Sequence, residues 1–177
     1  MFTIDAGASA LLLIDFQVKL MRVMDEGADA IANARRLIDA AHILGVPTLF
    51  TEQNAKGLGP TVPELAPDPS LVVHKMTFDA CGDPGFIQRL PEGRALILAG
   101  CEAHICVLQT ALGLIENGRR VFVVRDAIAS RRPESKETAV RRMERHGADI
   151  VTVEMVVFEW LKTAENPAFR ETAALIK

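Results

Sequence analysis

The sequence predicts a three-layer α/β fold, a parallel sheet of six strands with helices packed on both faces. Two observations carry this. Apolar residues fall in short continuous runs, not alternating ones, as strands buried on both faces require. Stretches of helical periodicity separate most of these runs, and strand–helix alternation is the pattern of parallel sheets. The runs are Ala10–Ile14, Val46–Thr51, Leu71–His74, Ala95–Ala99, Val121–Val124 and Asp149–Thr152.

The helices are expected at Asp29–Leu44, Pro84–Leu90, His104–Asn117 and Glu134–His146. In the first, Ala30, Ile31, Ala34, Leu37, Ile38 and Ala41 share one face. Gly45, Gly118 and Gly147 stand where a helix stops and a strand begins, the usual place for a left-handed C-cap. Pro133 suits a first helical turn, and so does Pro167 after the capping residue Asn166. The segment from Glu52 to Ser70 is the exception. It carries Gly57, Gly59, Pro60, Pro63, Pro67 and Pro69 and joins two strands without a clear helix. A loop of that length in a compact domain marks function or a partner contact.

With 177 residues, 49% of them hydrophobic, and no repeat or low-complexity tract, the chain reads as one domain able to bury its own core. Its net charge of -3 argues against nucleic acid as main partner. The cluster Arg131, Arg132, Lys136, Arg141, Arg142 and Arg145 is interleaved with Glu134, Glu137 and Glu144, which reads as a solvated helix face. No segment approaches the roughly 18 apolar residues of a membrane span. The run Ala10–Ile14 is too short for a signal sequence and lacks a basic region before it. A cytoplasmic location is expected, with Cys81, Cys101 and Cys106 as free thiols.

Ligands of open α/β sheets bind beyond the carboxyl ends of the strands. There the sequence places Asp15 after the first strand, Glu52 and Gln53 after the second, His74 and Lys75 after the third, the Gly100–Cys106 segment after the fourth and Asp126 after the fifth. Each residue alone has an ordinary reading: the cysteine a buried small hydrophobe, the aspartate a cap, the lysine a surface charge. Together an acid, a lysine and a cysteine form a constellation. A helix start lowers the pKa of a thiol, so Cys106 in the first turn of a helix is expected to ionise readily. Asp15 can take the thiol proton and return it to a leaving amine. Lys75 holds the carboxylate, and amides around Glu102 and Cys106 can bind an oxyanion.

These residues lie in segments that resemble the isochorismatase-like cysteine hydrolases. Leu11-Leu12-Leu13-Ile14-Asp15-Phe16-Gln17 resembles their opening strand and aspartate, His74-Lys75-Met76-Thr77-Phe78 their lysine segment, and Gly100–Val107 with Gln109-Thr110-Ala111 their nucleophile segment. Val121–Ala127 and Ser130 resemble the next strand and loop of the family. Thr51-Glu52-Gln53, Gly57–Leu65 and the tail from Arg142 through Glu154 and Phe158 to Lys177 resemble the branch called isochorismatase domain-containing proteins. The resemblance implies a Rossmann-like fold with a six-stranded parallel sheet, a cis peptide at Cys101–Glu102, and a homo-oligomer. It implies catalytic roles for Asp15, Lys75 and Cys106, an oxyanion hole from Glu102 and Cys106, and a small-molecule substrate.

Within that family, nicotinamidases carry an Asp-x-His and a further His as a metal site. Here that region reads Thr51-Glu52-Gln53-Asn54-Ala55-Lys56, so no metal and no cofactor are expected. The nucleophilic cysteine distinguishes the chain from siderophore isochorismatases, which tend to lack it, and favours cleavage of an amide or related C–N bond. The departures fall at Asp79-Ala80-Cys81-Gly82, which bears on the pocket. Pocket residues are expected among Phe16, Gln17, Gln53, Phe78 and the Glu52–Ser70 loop, with Cys81 either lining the pocket or packed. Two other readings are a non-catalytic oligomeric scaffold and a redox sensor pairing Cys101 with Cys106.

Overall fold

A computed structural model describes residues 2–176. In chain order its elements are β1 (Ser9–Ile14), α1 (Val18–Met21), α2 (Gly27–Leu44), β2 (Thr48–Gln53), α3 (Ala55–Leu58), β3 (Val72–Lys75), α4 (Pro84–Arg89), β4 (Ala95–Cys101), α5 (Leu108–Glu116), β5 (Val121–Ala129), α6 (Pro133–Arg145), β6 (Asp149–Val151), α7 (Val153–Leu161) and α8 (Phe169–Ala174). The six strands form one sheet in the order β3-β2-β1-β4-β5-β6, and every pairing is parallel. The order reverses at β1 and β4, the neighbours whose carboxyl ends carry Asp15 and the Gly100–Cys106 segment.

The sheet divides the core in two. Leu11 and Leu13 of β1 point into a cluster with Ala34, Leu37 and Ala41 of α2 and Val156, Val157 and Trp160 of α7. Leu12 and Ile14 point into the other, with Phe86 of α4, Leu114 of α5 and Met143 of α6. Alternate residues of a strand face opposite sides, so a strand buried on both faces must be apolar throughout. That is why these runs are continuous. In α6 only Ala139, Val140 and Met143 are buried, and Arg141, Arg142 and Arg145 are exposed, a solvated face.

Several boundaries move for physical reasons. Strand β2 starts later and runs on through Glu52 and Gln53, because Glu52 pairs with His74 and Gln53 with Lys75 of β3. The end expected for β5 at Val124 becomes Ala129. Its register shifts between Leu98 and Gly100 of β4, and pairing then resumes as Gly100 with Ile128 and Cys101 with Ala129. Asp126 therefore lies inside the strand, where its Oδ1 accepts the Val153 amide at the start of α7 (3.0 Å). Gly45, Gly118 and Gly147 all adopt positive φ after their helices. Asn166 accepts the Ala168 amide (2.9 Å) and leads the chain into α8, which starts two residues after Pro167.

The long loop between β2 and β3 is tied down. It opens with the single turn α3, which the sequence does not signal, and it is held by Gln17. That side chain donates to the carbonyls of Gln53 (3.0 Å) and Gly59 (2.7 Å) and accepts the Gln53 amide (2.9 Å). Beside it, Val18 N donates to Pro60 O and Val62 N to Phe16 O. No described helix is long and apolar enough to cross a membrane.

Where β1 meets β4, Gly100 has φ 153°, and a Cβ there would lie 2.3 Å from the Ile14 carbonyl oxygen and 2.7 Å from the Ile14 Cβ. No side chain fits without parting the strands. Gly45 is also left-handed (φ 68°), but a Cβ there meets nothing within 4 Å. Gly100→Ala is therefore expected to cost at least about 2 kcal/mol in denaturant unfolding, against about 1 kcal/mol for Gly45→Ala. Equal losses would refute the close-approach explanation.

Candidate active site

Asp15 lies one residue beyond β1 and turns sharply, with φ 52°. Its amide donates to the Thr51 carbonyl (3.1 Å), so the turn is held to β2. The turn sends the carboxylate toward β2 and β3. There Lys75 Nζ donates to Oδ2 at 2.8 Å and Thr51 Oγ1 donates to Oδ1 at 2.7 Å. The lysine and aspartate side chains are both wholly buried. Lys75 also donates to the carbonyls of Thr77 (3.1 Å) and Phe78 (3.5 Å), so the ammonium directs bonds to three acceptors. Burial of two charges is tolerable only when hydrogen bonds replace the lost water, and these do so.

Cys106 approaches this pair from β4. The Cys101–Glu102 peptide is cis, and the chain then makes one wide turn over Ala103–Val107, closed by a bond from Leu108 N to Ala103 O, before α5 begins. The amides of Ile105 and Val107 both donate to the Glu102 carbonyl. Cys106 is buried, close enough to Asp15 and Lys75 for both charges to act on its thiol. Burial pushes the thiol up to about 12, the Asp15 charge pushes the same way, and Lys75 opposes them. This corrects the expectation of a thiol acidified by a helix start. The residue stands in a wide turn ahead of α5 and not in its first turn, and desolvation is the largest influence on it.

The constellation read from the sequence is thus brought together, but the pocket residues divide. Phe16 is buried in the core on the α2 side of the sheet. Gln17 is fully buried and directs its amide group to the loop. Neither side chain faces the thiol, because the turn at Asp15 directs the next two residues inward. Gln53 is half-buried and donates to the Met76 carbonyl (3.2 Å), while Phe78 and Met76 are exposed. A cleft of about 690 Å³ lies beside Lys75, lined also by Asn54, Lys56, His74, Met76 and Thr77. Cys81 packs against the core cluster that includes Cys106, and burial with the Asp79 charge pushes its thiol up to about 12. Cys101 belongs to the opposite cluster, with its Sγ 3.2 Å from Met21 Sδ. The sheet therefore separates Cys101 from Cys106.

Three features have no plain signal in the sequence. The Thr51 hydroxyl on Asp15 is one, although its place at a strand end beside Asp15 is the kind of position worth testing. The carbonyls of Thr77 and Phe78 are backbone groups, invisible in residue identity. Arg131, exposed, donates from Nε to the buried Glu102 carboxylate at 2.7 Å, a pairing between residues 29 apart in the chain. Near the cleft, Glu52 accepts the Thr61 amide (2.7 Å) and hydroxyl (2.8 Å) and faces His74 at 3.4 Å. Among the described residues no group of three or more His, Cys, Asp or Glu is placed to hold a metal ion.

Comparison with known proteins gives the family and the fold. The family model described as the isochorismatase domain matches residues 9–155. Isochorismatase domain-containing protein 2 of Bos taurus is 37% identical over 174 residues, covering 97% of this chain and 84% of that protein. The MAR1 ribonuclease of Caenorhabditis elegans superposes with a TM-score of 0.93 at 38% identity, covering 98% and 92% of the two chains. The YcaC gene product of Escherichia coli, an octameric hydrolase of unknown specificity, superposes with a TM-score of 0.92 at 30% identity, covering 99% and 90%.

The buried pair makes a sharp prediction. Lys75→Met leaves the Asp15 charge buried without its cation, which is expected to cost about 3–5 kcal/mol in denaturant unfolding. The double variant Lys75→Met/Asp15→Asn should recover part of that loss. If the single variant were as stable as the wild type, the pair would not be holding the strand ends.

Proposed function

The chain belongs to the isochorismatase family and has its hydrolase fold, and from that premise we propose that it is a metal-independent cysteine hydrolase of small amides or related C–N bonds. The observation that carries this reading is a buried cysteine under the charge of an aspartate that is itself fixed by a buried lysine. Asp15 takes the thiol proton as Sγ attacks the carbonyl carbon and a C–S bond forms. The oxyanion is stabilised by the amides of Glu102 and Cys106. As the C–N bond breaks, Asp15 returns the proton to the nitrogen, and ammonia or an amine leaves. Water, deprotonated by the same carboxylate, then attacks the acyl-enzyme and frees the thiol. Lys75 stays charged throughout and keeps the carboxylate in position. Neither a metal nor a cofactor takes part.

A small molecule suits a buried thiol better than a nucleic acid does, and the net charge of -3 weighs against phosphate binding. Exposed Met76 and Phe78 beside the site support self-association, as does the octameric state of YcaC. We place the protein in the cytoplasm.

Cys106→Ala is expected to abolish ammonia or amine release from whichever compound in a panel of small amides, ureides and carbamoyl compounds the wild type cleaves. Hydrolysis at the wild-type rate would refute the mechanism. A second measurement needs no substrate. Alkylation of Cys106 by iodoacetamide should be nearly independent of pH across the neutral range, because Asp15 takes the thiol proton as the sulfur attacks. Without that partner, the reaction tracks the thiol's own ionisation. In Asp15→Asn burial still disfavours the thiolate, so the rate should climb about tenfold per pH unit through the neutral range. Matching profiles in the two proteins would remove Asp15 as the base. Light scattering should return a multiple of the chain mass, and a monomer at micromolar concentration would remove the oligomer.

A further inference from the structure

Asp15 has two carboxylate oxygens, and the mechanism accounts for only one of its neighbours besides the thiol. Lys75 holds Oδ2, while Oδ1 accepts a hydrogen bond from Thr51 Oγ1 at 2.7 Å. Thr51 is almost wholly buried toward the carboxyl end of β2. A buried hydroxyl is costly unless it has a partner, and valine would fill the same strand position at no such cost. The same residue also accepts the Asp15 amide through its carbonyl, at 3.1 Å. Residue 51 therefore holds Asp15 at two points, backbone and side chain, across a turn with φ 52°.

We infer that Thr51 is a positioning residue, which fixes the plane of the Asp15 carboxylate toward Cys106 and keeps that carboxylate available as a proton acceptor. This rests on the proposed role of Asp15 as base. A carboxylate held at one oxygen still rotates about its Cβ–Cγ bond. Held at both, by an ammonium and a hydroxyl on neighbouring strands, it presents fixed lone pairs to the thiol. The hydroxyl can only donate to an ionised carboxylate, and a donor to the charged form favours that form. Lys75 stabilises the same charge but lies on β3. Thr51 lies on β2, directly beside β1, so the alignment is set by adjacent strands.

The test is the pH profile of Cys106 alkylation by iodoacetamide, read by peptide mass mapping, in wild type, Thr51→Val, Thr51→Ser and Asp15→Asn. Thr51→Val should move the acid edge of the plateau upward by about one pH unit. Thr51→Ser should restore the wild-type edge, because it keeps the hydroxyl and loses only a methyl. A merely structural role would lower thermal stability without moving the edge. If Thr51→Val does not fold, Thr51→Ala takes its place in the same comparison with Thr51→Ser. An unmoved edge in Thr51→Val, with the plateau lost in Asp15→Asn, would overturn the role of Thr51 and leave Asp15 as base. An equal shift in Thr51→Ser would overturn it too, since the hydroxyl would not be the cause. A plateau that survives in Asp15→Asn would remove the underlying reading of the site, and the inference with it.

Discussion

The buried ion pair between Lys75 and Asp15 is the constraint on which the rest of the arrangement depends. Two charges in a water-free place demand several hydrogen bonds, and the fold supplies them from defined points. Thr51 comes from β2, the Thr77 and Phe78 carbonyls from the turn after β3, and Asp15 from the turn after β1. The strand order β3-β2-β1 is thus fastened at its carboxyl end by polar bonds as well as by the sheet ladder. The turn at residues 76–78 takes its course because its carbonyls must face the ammonium. The side chains on its outer side, Met76 and Phe78, are left exposed.

A second fastening lies beside the first. Gln17 forms three bonds across the start and middle of the long loop, and Glu52 grips the same loop at Thr61. A segment rich in glycine and proline has little secondary structure to hold it and must be ordered by side chains reaching in from outside. Gln17 and Glu52 do this. They stand two residues after Asp15 and one residue after Thr51, and they keep the loop in place while Asp15 and Thr51 themselves meet over the carboxylate.

Much of the fold is legible in the sequence because continuous apolar runs and terminal glycines are local signals. The six strands and four principal helices stand where those signals stand. Helix α7 has no signal of its own, because its apolar residues come after β6 with a single residue, Thr152, between them and no polar gap to divide them. Strand β5 reads as shorter than it is because Arg125 and Asp126 interrupt its apolar run, although pairing continues past them. In the site, Asp15, Lys75 and Cys106 are legible from strand ends and from family likeness. Their pKa environment is not, because desolvation depends on how many groups surround the thiol and not on which residue precedes it. Phe16 and Gln17 turn away from the expected pocket for a similar reason: proximity in sequence to Asp15 says nothing of direction once the backbone turns at φ 52°.

The absence of a side chain at Gly100 has a consequence beyond packing. Ile14 and Gly100 are register partners near the carboxyl ends of their strands: Asp15 follows the one, and Cys101 with the turn leading to Cys106 follows the other. The spacing of these two strand ends is therefore gauged by the thickness of bare backbone against a carbonyl. A missing methyl group acts as their spacer, and the approach of β1 to β4 is measured out by an atom that the chain leaves out.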